Sequence, residues 1–289
     1  MELKIAERKY AKMKMALQGV SGSGKTYSAL LLAYGLIGNW EKVAVIDTEN
    51  ESSNLYAHLG SFRVLSLPEP FTPEKYIDAI HLCEKAGMEV IIIDSITHEW
   101  ENLLEYHGSL AGNSFSNWNK VTPRHNHFVQ KILQSTCHII ATIRTKQDYV
   151  LADKNGKMVP EKVGLKSVQR ENIDYEFTLV FDLDIKNHAT TSKDRTGLFM
   201  DTPAVKLSID TGTQIKKWCE RQDTETIDQV SQRINGCKSL NELLSLYKEF
   251  PQFKKVLLPE YENQKRKLLL ANVDANITQP LKPSENGSH

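Results

Sequence analysis

One glycine-rich segment, residues 19–26 with the sequence GVSGSGKT, constrains this chain more than any other feature. An apolar run precedes it at residues 13–17, and a run that favours a helix follows it at residues 27–34. Glycines let the backbone curl so that several N–H groups point at one anion, and the start of a helix adds positive potential. The pattern therefore predicts a phosphate-binding loop for a nucleoside triphosphate.

The residues of this loop have different predicted roles in nucleotide binding. Lys25 supplies a mobile cation for the β- and γ-phosphates, and the Thr26 hydroxyl is a ligand for Mg²⁺. The chain has no Asn-Lys-x-Asp guanine motif, which favours ATP over GTP. The predicted nucleotide-binding set is Gly19, Val20, Ser21, Gly22, Ser23, Gly24, Lys25, Thr26 and Tyr27.

Short apolar strands alternate with helical patterns through the first half of the chain. This spacing predicts an α/β core with a mostly parallel sheet and helices on both faces. The predicted strands are residues 42–47, 62–67, 89–94, 138–143 and 177–183, and the predicted helices are residues 73–86, 97–107 and 121–134.

The pattern changes after residue 145. Residues 149–152 and 157–159 flank Asn155-Gly156, a strong signal for a β-hairpin. From about residue 213 only helical patterns remain. We therefore predict a P-loop core over residues 1–212, a small helical C-terminal appendage over residues 213–272, and a flexible tail over residues 273–289.

An acidic residue must hold the Mg²⁺ and its waters, and another group must orient or deprotonate the attacking water. Asp94 ends the most apolar predicted strand and has the form of the metal-binding acid, so Thr26 and Asp94 are the predicted metal ligands. Two acids compete for the role of base. Glu49 lies just past the second strand, and Glu99 lies just past Asp94.

Two segments, VAVIDTENESSNLY at residues 43–56 and VIIIDSITHEW at residues 90–100, resemble segments of the RecA-like recombinase and helicase ATPases. The resemblance covers about residues 12–210. It implies a RecA-like P-loop fold, ATP hydrolysis with Mg²⁺, Glu49 as the residue that activates water, and Asp94 with Ser95 as the Walker B pair. The chain also resembles a class of compact, phage-encoded RecA-like ATPases that keep the core and lack most accessory domains.

A third segment, TSKDRTG at residues 191–197, resembles the Lys-Asn-Arg-Phe-Gly motif of bacterial RadA-type proteins. In that family the lysine and the arginine reach the nucleotide of a neighbouring subunit. The resemblance therefore implies catalytic roles in trans for Lys193 and Arg195, and a homo-oligomer that forms a ring or a filament. A solvated turn is the alternative interpretation of these residues.

The chain also departs from the family. The polar residue that senses the γ-phosphate is usually Gln in RecA, and here Arg144 or Thr142 must serve. The zinc-finger and protease-like modules of full RadA proteins are missing from the sequence, so nothing in it specifies branch migration.

Two further segments correspond by position to the loops that bind single strands in RecA-like proteins. Residues 108–119 carry Phe115 and Trp118, and residues 146–170 carry Tyr149 with six cations against three acids. Tyr149 and Trp118 are the rings predicted to stack bases, and the lysines can contact phosphates. The cations are Lys146, Lys154, Lys157, Lys162, Lys166 and Arg170.

The formal net charge is zero, which argues against a strongly basic nucleic-acid coat but permits this local basic segment. Four scattered cysteines without metal spacing, the absence of a long apolar run and an N-terminus unlike a signal peptide predict a cytoplasmic protein with no membrane contact. The first functional hypothesis is a phage-type ATPase acting on single-stranded DNA in recombination or replication. The alternatives are a nucleotide-dependent switch that binds protein partners in phage assembly or defence and, less favoured because residues 146–170 contain a single arginine, a small-molecule kinase.

Overall fold

The computed structural model describes residues 12–154, 157–220 and 225–277 of the chain. The strands of this described part are β1 (Lys14–Gly19), β2 (Val43–Asp47), β3 (Arg63–Ser66), β4 (Val90–Asp94), β5 (His138–Lys154), β6 (Lys157–Ser167), β7 (Leu179–Leu183) and β8 (Ala189–Asp194). Its helices are α1 (Lys25–Ile37), α2 (Pro73–Lys85), α3 (Thr97–Ser109), α4 (Ser114–Gln134), α5 (Ile209–Glu220), α6 (Ile227–Gly236), α7 (Leu240–Glu249) and α8 (Leu258–Ile277).

The strands form an eight-stranded sheet within the described residues, in the order β3-β2-β4-β5-β1-β7-β8, with β6 paired to β5. All pairs from β3 to β7 are parallel, whereas β8 and β6 run antiparallel to their neighbours. This arrangement confirms the predicted α/β P-loop fold with a mostly parallel sheet.

Side chains of the central strands alternate between two apolar cores. Met15, Val45 and Ile92 lie in one core together with residues of α1 and α5. Ala16 and Ile93 lie in the other, together with residues of α2 and α4. Because successive side chains of a strand point to opposite faces, helices cover the sheet on both sides, as the sequence predicted.

Helix α4 begins earlier than predicted. The Gly/Asn/Ser-rich sequence favoured a loop up to residue 117, and the predicted helix covered residues 121–134. In the structure Asn113 caps the helix, since its Oδ1 accepts hydrogen bonds from the N–H groups of Phe115 (2.8 Å) and Ser116 (3.4 Å). Much of the segment 108–119 is therefore helical, and Pro123 lies inside the helix.

Strand β5 also runs further than the predicted residues 138–143. It continues to Lys154 and pairs with β6 from Thr145↔Ser167 to Lys154↔Lys157, so the predicted hairpin is present. Its turn residues, Asn155 and Gly156, lie outside the described part of the chain. The side chains of residues 147–163, including Tyr149, Lys154, Lys157 and Lys162, also lie outside it.

The chain divides into two compact units, Met1–Arg221 and Gln222–His289. Helix α5 belongs to the first unit, where it crosses α1 at two glycines. A Cβ atom on Gly212 would lie 2.5 Å from the Leu32 carbonyl oxygen, and one on Gly35 would lie 2.2 Å from that of Ile209. The first unit therefore extends past residue 212, where the sequence placed the end of the core.

The second unit is helical and has its own apolar core, which includes Val230, Ile234, Leu246 and Tyr261. Helix α8 continues to Ile277, so the first residues of the predicted tail are helical, and residues 278–289 lie outside the description. None of the described helices combines the length and the apolarity that crossing a membrane requires.

Candidate nucleotide site

The parallel strands β1, β2, β4 and β5 bring their predicted site residues to one edge of the sheet. Gly19 at the end of β1 is in register with Arg144 of β5, and Asp47 at the end of β2 is in register with Asp94 of β4. In open parallel sheets, ligands bind at this carboxyl edge.

The loop after β1 has the geometry of an anion cradle. Gly22 and Gly24 have φ angles of 81° and 80°, in the left-handed region that side chains disfavour. The N-cap of α1 is Gly24, so no side chain at this position accepts hydrogen bonds from the N–H groups of the first turn. That turn also contains no acidic residue that would repel phosphate. The Ser23 hydroxyl is buried, and no group in the described part of the chain forms a hydrogen bond with it. A phosphate would accept hydrogen bonds from the first N–H groups of α1 and from the Ser23 hydroxyl, so the cradle fits a nucleotide.

Lys25 lies within this cradle. Its buried ammonium donates to the carbonyl oxygens of Gly19 and Val20, both at 2.9 Å. Burial lowers its pKa, while the negative charges of Asp94 and Glu49 act in the opposite direction. The acids therefore help to keep this cation charged beside the place for the phosphates.

The two predicted metal ligands are neighbours. The Thr26 hydroxyl donates to Asp94 Oδ2 at 2.6 Å, and the Thr142 hydroxyl donates to Asp94 Oδ1 at 2.5 Å. Burial raises the pKa of Asp94, although both hydrogen bonds oppose this effect. The Thr26 hydroxyl at the start of α1 and the Asp94 carboxylate at the end of β4 are hard oxygen ligands of the kind that Mg²⁺ prefers. The two residues therefore fit this ion.

Glu49 is held at the edge of the same site. Its backbone N–H donates to Asp47 Oδ1 at 2.7 Å, and the buried Asp47 also accepts from the hydroxyl of Ser53 at 2.6 Å. The half-exposed Glu49 carboxylate pairs with Arg144 through contacts of 3.0 Å to Nε and 2.8 Å to the terminal nitrogen. Both residues line a cleft of about 660 Å³.

Glu99 lies in a different environment. It is fully buried, and both of its carboxylate oxygens lie 3.1 Å from His125 Nδ1. Burial raises the pKa of Glu99, and hydrogen bonds from His125 and Gln169 offset only part of that increase. These contacts tie α3 to α4, and they favour Glu49 over Glu99 as the residue that activates water.

Two residues that the sequence did not single out connect the strands of the site. The Thr48 hydroxyl accepts from the Ser95 N–H at 2.9 Å and lies 2.7 Å from His98 Nδ1. The His98 ring stacks on Phe71 at 5.0 Å. The sequence feature that could have identified Thr48 is its position directly after strand β2. Tyr27, from the predicted set, is 40% exposed, with its ring 5.6 Å from that of Tyr56.

Lys193 and Arg195 lie at the opposite edge of the sheet. Strand β8 runs antiparallel, so Lys193 pairs with Val180 near the start of β7, whereas the end of β7 lies beside Gly19. Lys193 Nζ donates to the carbonyl oxygens of Asp174, at 3.1 Å, and Tyr175. Asp194 accepts hydrogen bonds from several groups of the following turn. Neither cation lies at the nucleotide site of its own subunit.

A second cleft, of about 860 Å³, lies between α3, α4 and the base of the β5–β6 hairpin. It combines aromatic side chains of the predicted segment 108–119 with cations of the segment 146–170. Trp100, Phe115, Trp118, Lys146, Lys166 and Arg170 are among its lining residues. We call it the aromatic–basic cleft.

The glycine cradle, the buried lysine and the threonine–aspartate pair at the carboxyl edge of a parallel sheet define a P-loop NTPase. Comparison with family models agrees, because a model described as AAA domain matches residues 11–232. The chain therefore belongs to the AAA domain family, whose members are generally NTPases. No curated protein matches the chain at a significant level.

Proposed function

We propose that this protein is a RecA-like ATPase that acts on single-stranded nucleic acid, in recombination or replication of the phage type. One observation carries the proposal: strand β5 contributes side chains both to the nucleotide site and to the aromatic–basic cleft. Arg144 of β5 pairs with Glu49 at the nucleotide site, and Lys146, two residues further along, lines the aromatic–basic cleft.

The position of the base supports the RecA-like subtype. In the AAA⁺-type arrangement the catalytic acid follows the Walker B acid on the same strand, but here Ser95 follows Asp94. Glu49 instead lies just past the end of the neighbouring strand β2, in the place that the resemblance to RecA-like proteins assigns to the water-activating residue.

The residues of the site then have distinct roles in hydrolysis. Lys25 and the loop N–H groups neutralise the phosphates. Thr26 and Asp94 would hold Mg²⁺, which would neutralise phosphate charge when bound. Glu49 orients the water and takes its proton. Arg144 is placed to exchange its ion pair with Glu49 for the γ-phosphate, because a guanidinium matches phosphate oxygens in geometry.

A neighbouring subunit completes the site in this proposal. Lys25 and Arg144 are two cations near the phosphate loop, while Lys193 and Arg195 lie at the far edge of the sheet. In a ring or filament they would reach the nucleotide of the next subunit, as the resemblance to RadA-type proteins implies.

Single-strand stimulation of ATP turnover tests this function. We expect oligothymidylate to increase the rate of phosphate release by the wild-type protein, and Lys25→Ala to abolish turnover with or without DNA while leaving the circular dichroism spectrum unchanged. If the wild-type protein hydrolyses ATP but neither binds nor responds to single strands at low salt, the protein-binding nucleotide switch becomes the better function.

A further inference from the structure

We propose that a base of the bound single strand stacks on the side chain of Phe115. Trp118 instead packs against other rings and forms part of the wall of the cleft. The inference rests on the proposed function, and it moves the stacking role in the segment 108–119 from Trp118, which the sequence favoured, to Phe115.

Phe115 is exposed but anchored. Its side chain is 86% exposed, the most of any large apolar residue in the described part of the chain. Its backbone is fixed in the first turn of α4 by the Asn113 cap, and His107 Nε2 lies 3.0 Å from the carbonyl oxygen of the preceding residue, Ser114. An exposed ring on an ordered backbone offers a stacking face without a large loss of conformational freedom on binding.

Trp118 is already engaged with other rings. It stacks on His107 with ring centroids 4.1 Å apart and on Trp100 at 6.0 Å, both nearly parallel. Trp100 in turn contacts His125, the partner of the buried Glu99. This column of rings joins α3 to α4, so stacking a base on Trp118 would first require breaking contacts within the fold.

The charges around Phe115 suit a polyanion. Lys146, Lys166 and Arg170 line the same cleft, in a protein whose formal net charge is zero. Glu171 is also in the lining, and it pairs with Lys166 at 2.9 Å. Cations that contact phosphates beside an aromatic ring that contacts a base form the usual arrangement for single-strand binding. We therefore commit to single-stranded nucleic acid as the occupant rather than an apolar protein segment.

The first experiment measures anisotropy of fluorescein-labelled oligothymidylate at low salt with a non-hydrolysable ATP analogue. We expect Phe115→Ala and Phe115→Leu to weaken binding by about 5- to 100-fold, the usual range for loss of one stacked base. Phe115→Trp should bind as tightly as wild type. Leu82→Ala removes another exposed apolar side chain, on α2 and away from the cleft, and is the matched control.

The second experiment reads stacking directly. The chain has four tryptophans, so wild-type emission reports Trp100 and Trp118 among them. Phe115→Trp adds a fifth at the proposed stacking position, and its added emission should be quenched by the oligonucleotide. An oligonucleotide with abasic sites keeps the phosphates, and it should bind wild type and Phe115→Ala equally.

The outcomes separate this inference from the function on which it rests. Failure of the wild-type protein to bind any single strand at low salt overturns both. Normal wild-type binding with unaffected Phe115→Ala and Phe115→Leu overturns the role of Phe115 alone. A change in oligomeric state of Phe115→Ala without a change in DNA affinity would assign the ring to a protein contact instead.

Discussion

At the scale of single residues, the site separates two glutamates that the sequence left in competition. Glu49 is partly exposed, pairs with Arg144 and lines an open cleft, and its charge acts on both Lys25 and Asp94. Glu99 is fully buried against His125. A general base needs access to a water near the phosphates, and this requirement distinguishes them.

We predict that Glu49→Gln retains ATP and Mg²⁺ but slows hydrolysis by about 10²- to 10⁴-fold, since the amide cannot accept the proton of the water. Glu99→Gln is the matched control. Its amide can keep hydrogen bonds to the partners of Glu99, so turnover should fall much less. Equal rates for wild type and Glu49→Gln, with a large loss in Glu99→Gln, would instead favour an AAA⁺-type assignment.

His138 allows a prediction about pH. It is buried at the start of β5, and its Nδ1 accepts a hydrogen bond from the Met13 N–H at 3.0 Å. Burial, together with the nearby Lys12 and Lys14, lowers its pKa to about 3, from 6.5. The unfolded chain therefore binds more protons between these values, so this contribution to stability is complete above about pH 6.5 and is lost as the pH falls towards 3.

Denaturant unfolding at several pH values between 7 and 4 measures this contribution. We expect the wild-type free energy of unfolding to fall more steeply with acid than that of His138→Asn, whose amide oxygen can still accept the Met13 hydrogen bond. Each unit of pKa shift corresponds to about 1.4 kcal/mol, so the two curves should diverge by several kcal/mol at most. Parallel curves would show that His138 does not titrate differently in the folded state.

At the scale of elements, regular apolar patterns were predictable, whereas the polar segment that begins α4 was not. The strands ending at Asp47 and Asp94 and the helix that Thr72 caps at Pro73–Lys85 agree with the sequence within a residue or two. Helix α4 was missed at its start because Ser, Asn and Gly favour loops by composition, and only the geometry of the Asn113 cap shows that they begin a helix. The pairing of Arg144 with Glu49 joins residues far apart in the sequence, so local patterns could not reveal it.

The base of the β5–β6 hairpin gives an element-scale prediction. If Lys146 and Arg170 contact phosphates, single-strand affinity should fall with salt, and replacing both with Gln should reduce the log–log slope by roughly one to two units. The weakening should be about equal for all sequences, since phosphates carry no base identity. Replacing the exposed Lys85 and Arg63 with Gln removes the same charge at residues that do not line the cleft and should leave the slope unchanged. An unchanged slope in the cleft variant would remove this hairpin from the binding path.

At the scale of the whole molecule, the sequence predicted a P-loop core followed by helices, and the structure has that order. The core reaches further because two glycines, Gly35 and Gly212, let α5 approach α1 closely, a contact between residues distant in the sequence. Lys193 and Arg195 can act on a nucleotide only if a second copy of the chain binds beside the first. They lie away from the nucleotide site of their own chain, at the far edge of the sheet, so the role to test is one in trans.

We predict that Arg195→Ala impairs hydrolysis but spares nucleotide binding by the isolated subunit, since this guanidinium would act at the γ-phosphate of a neighbour. Arg63→Ala, which removes an exposed arginine from the opposite edge strand, is the matched control and should hydrolyse ATP normally. Mixing inactive Arg195→Ala with inactive Lys25→Ala should restore part of the turnover, because one kind of mixed interface then combines an intact loop with an intact arginine. The mixture is assayed for phosphate release, and co-assembly is verified by light scattering with a labelled subunit. If the two variants co-assemble and no turnover returns, Arg195 does not act in trans, and its weak contact with the Tyr175 carbonyl oxygen at 3.4 Å is then its main role.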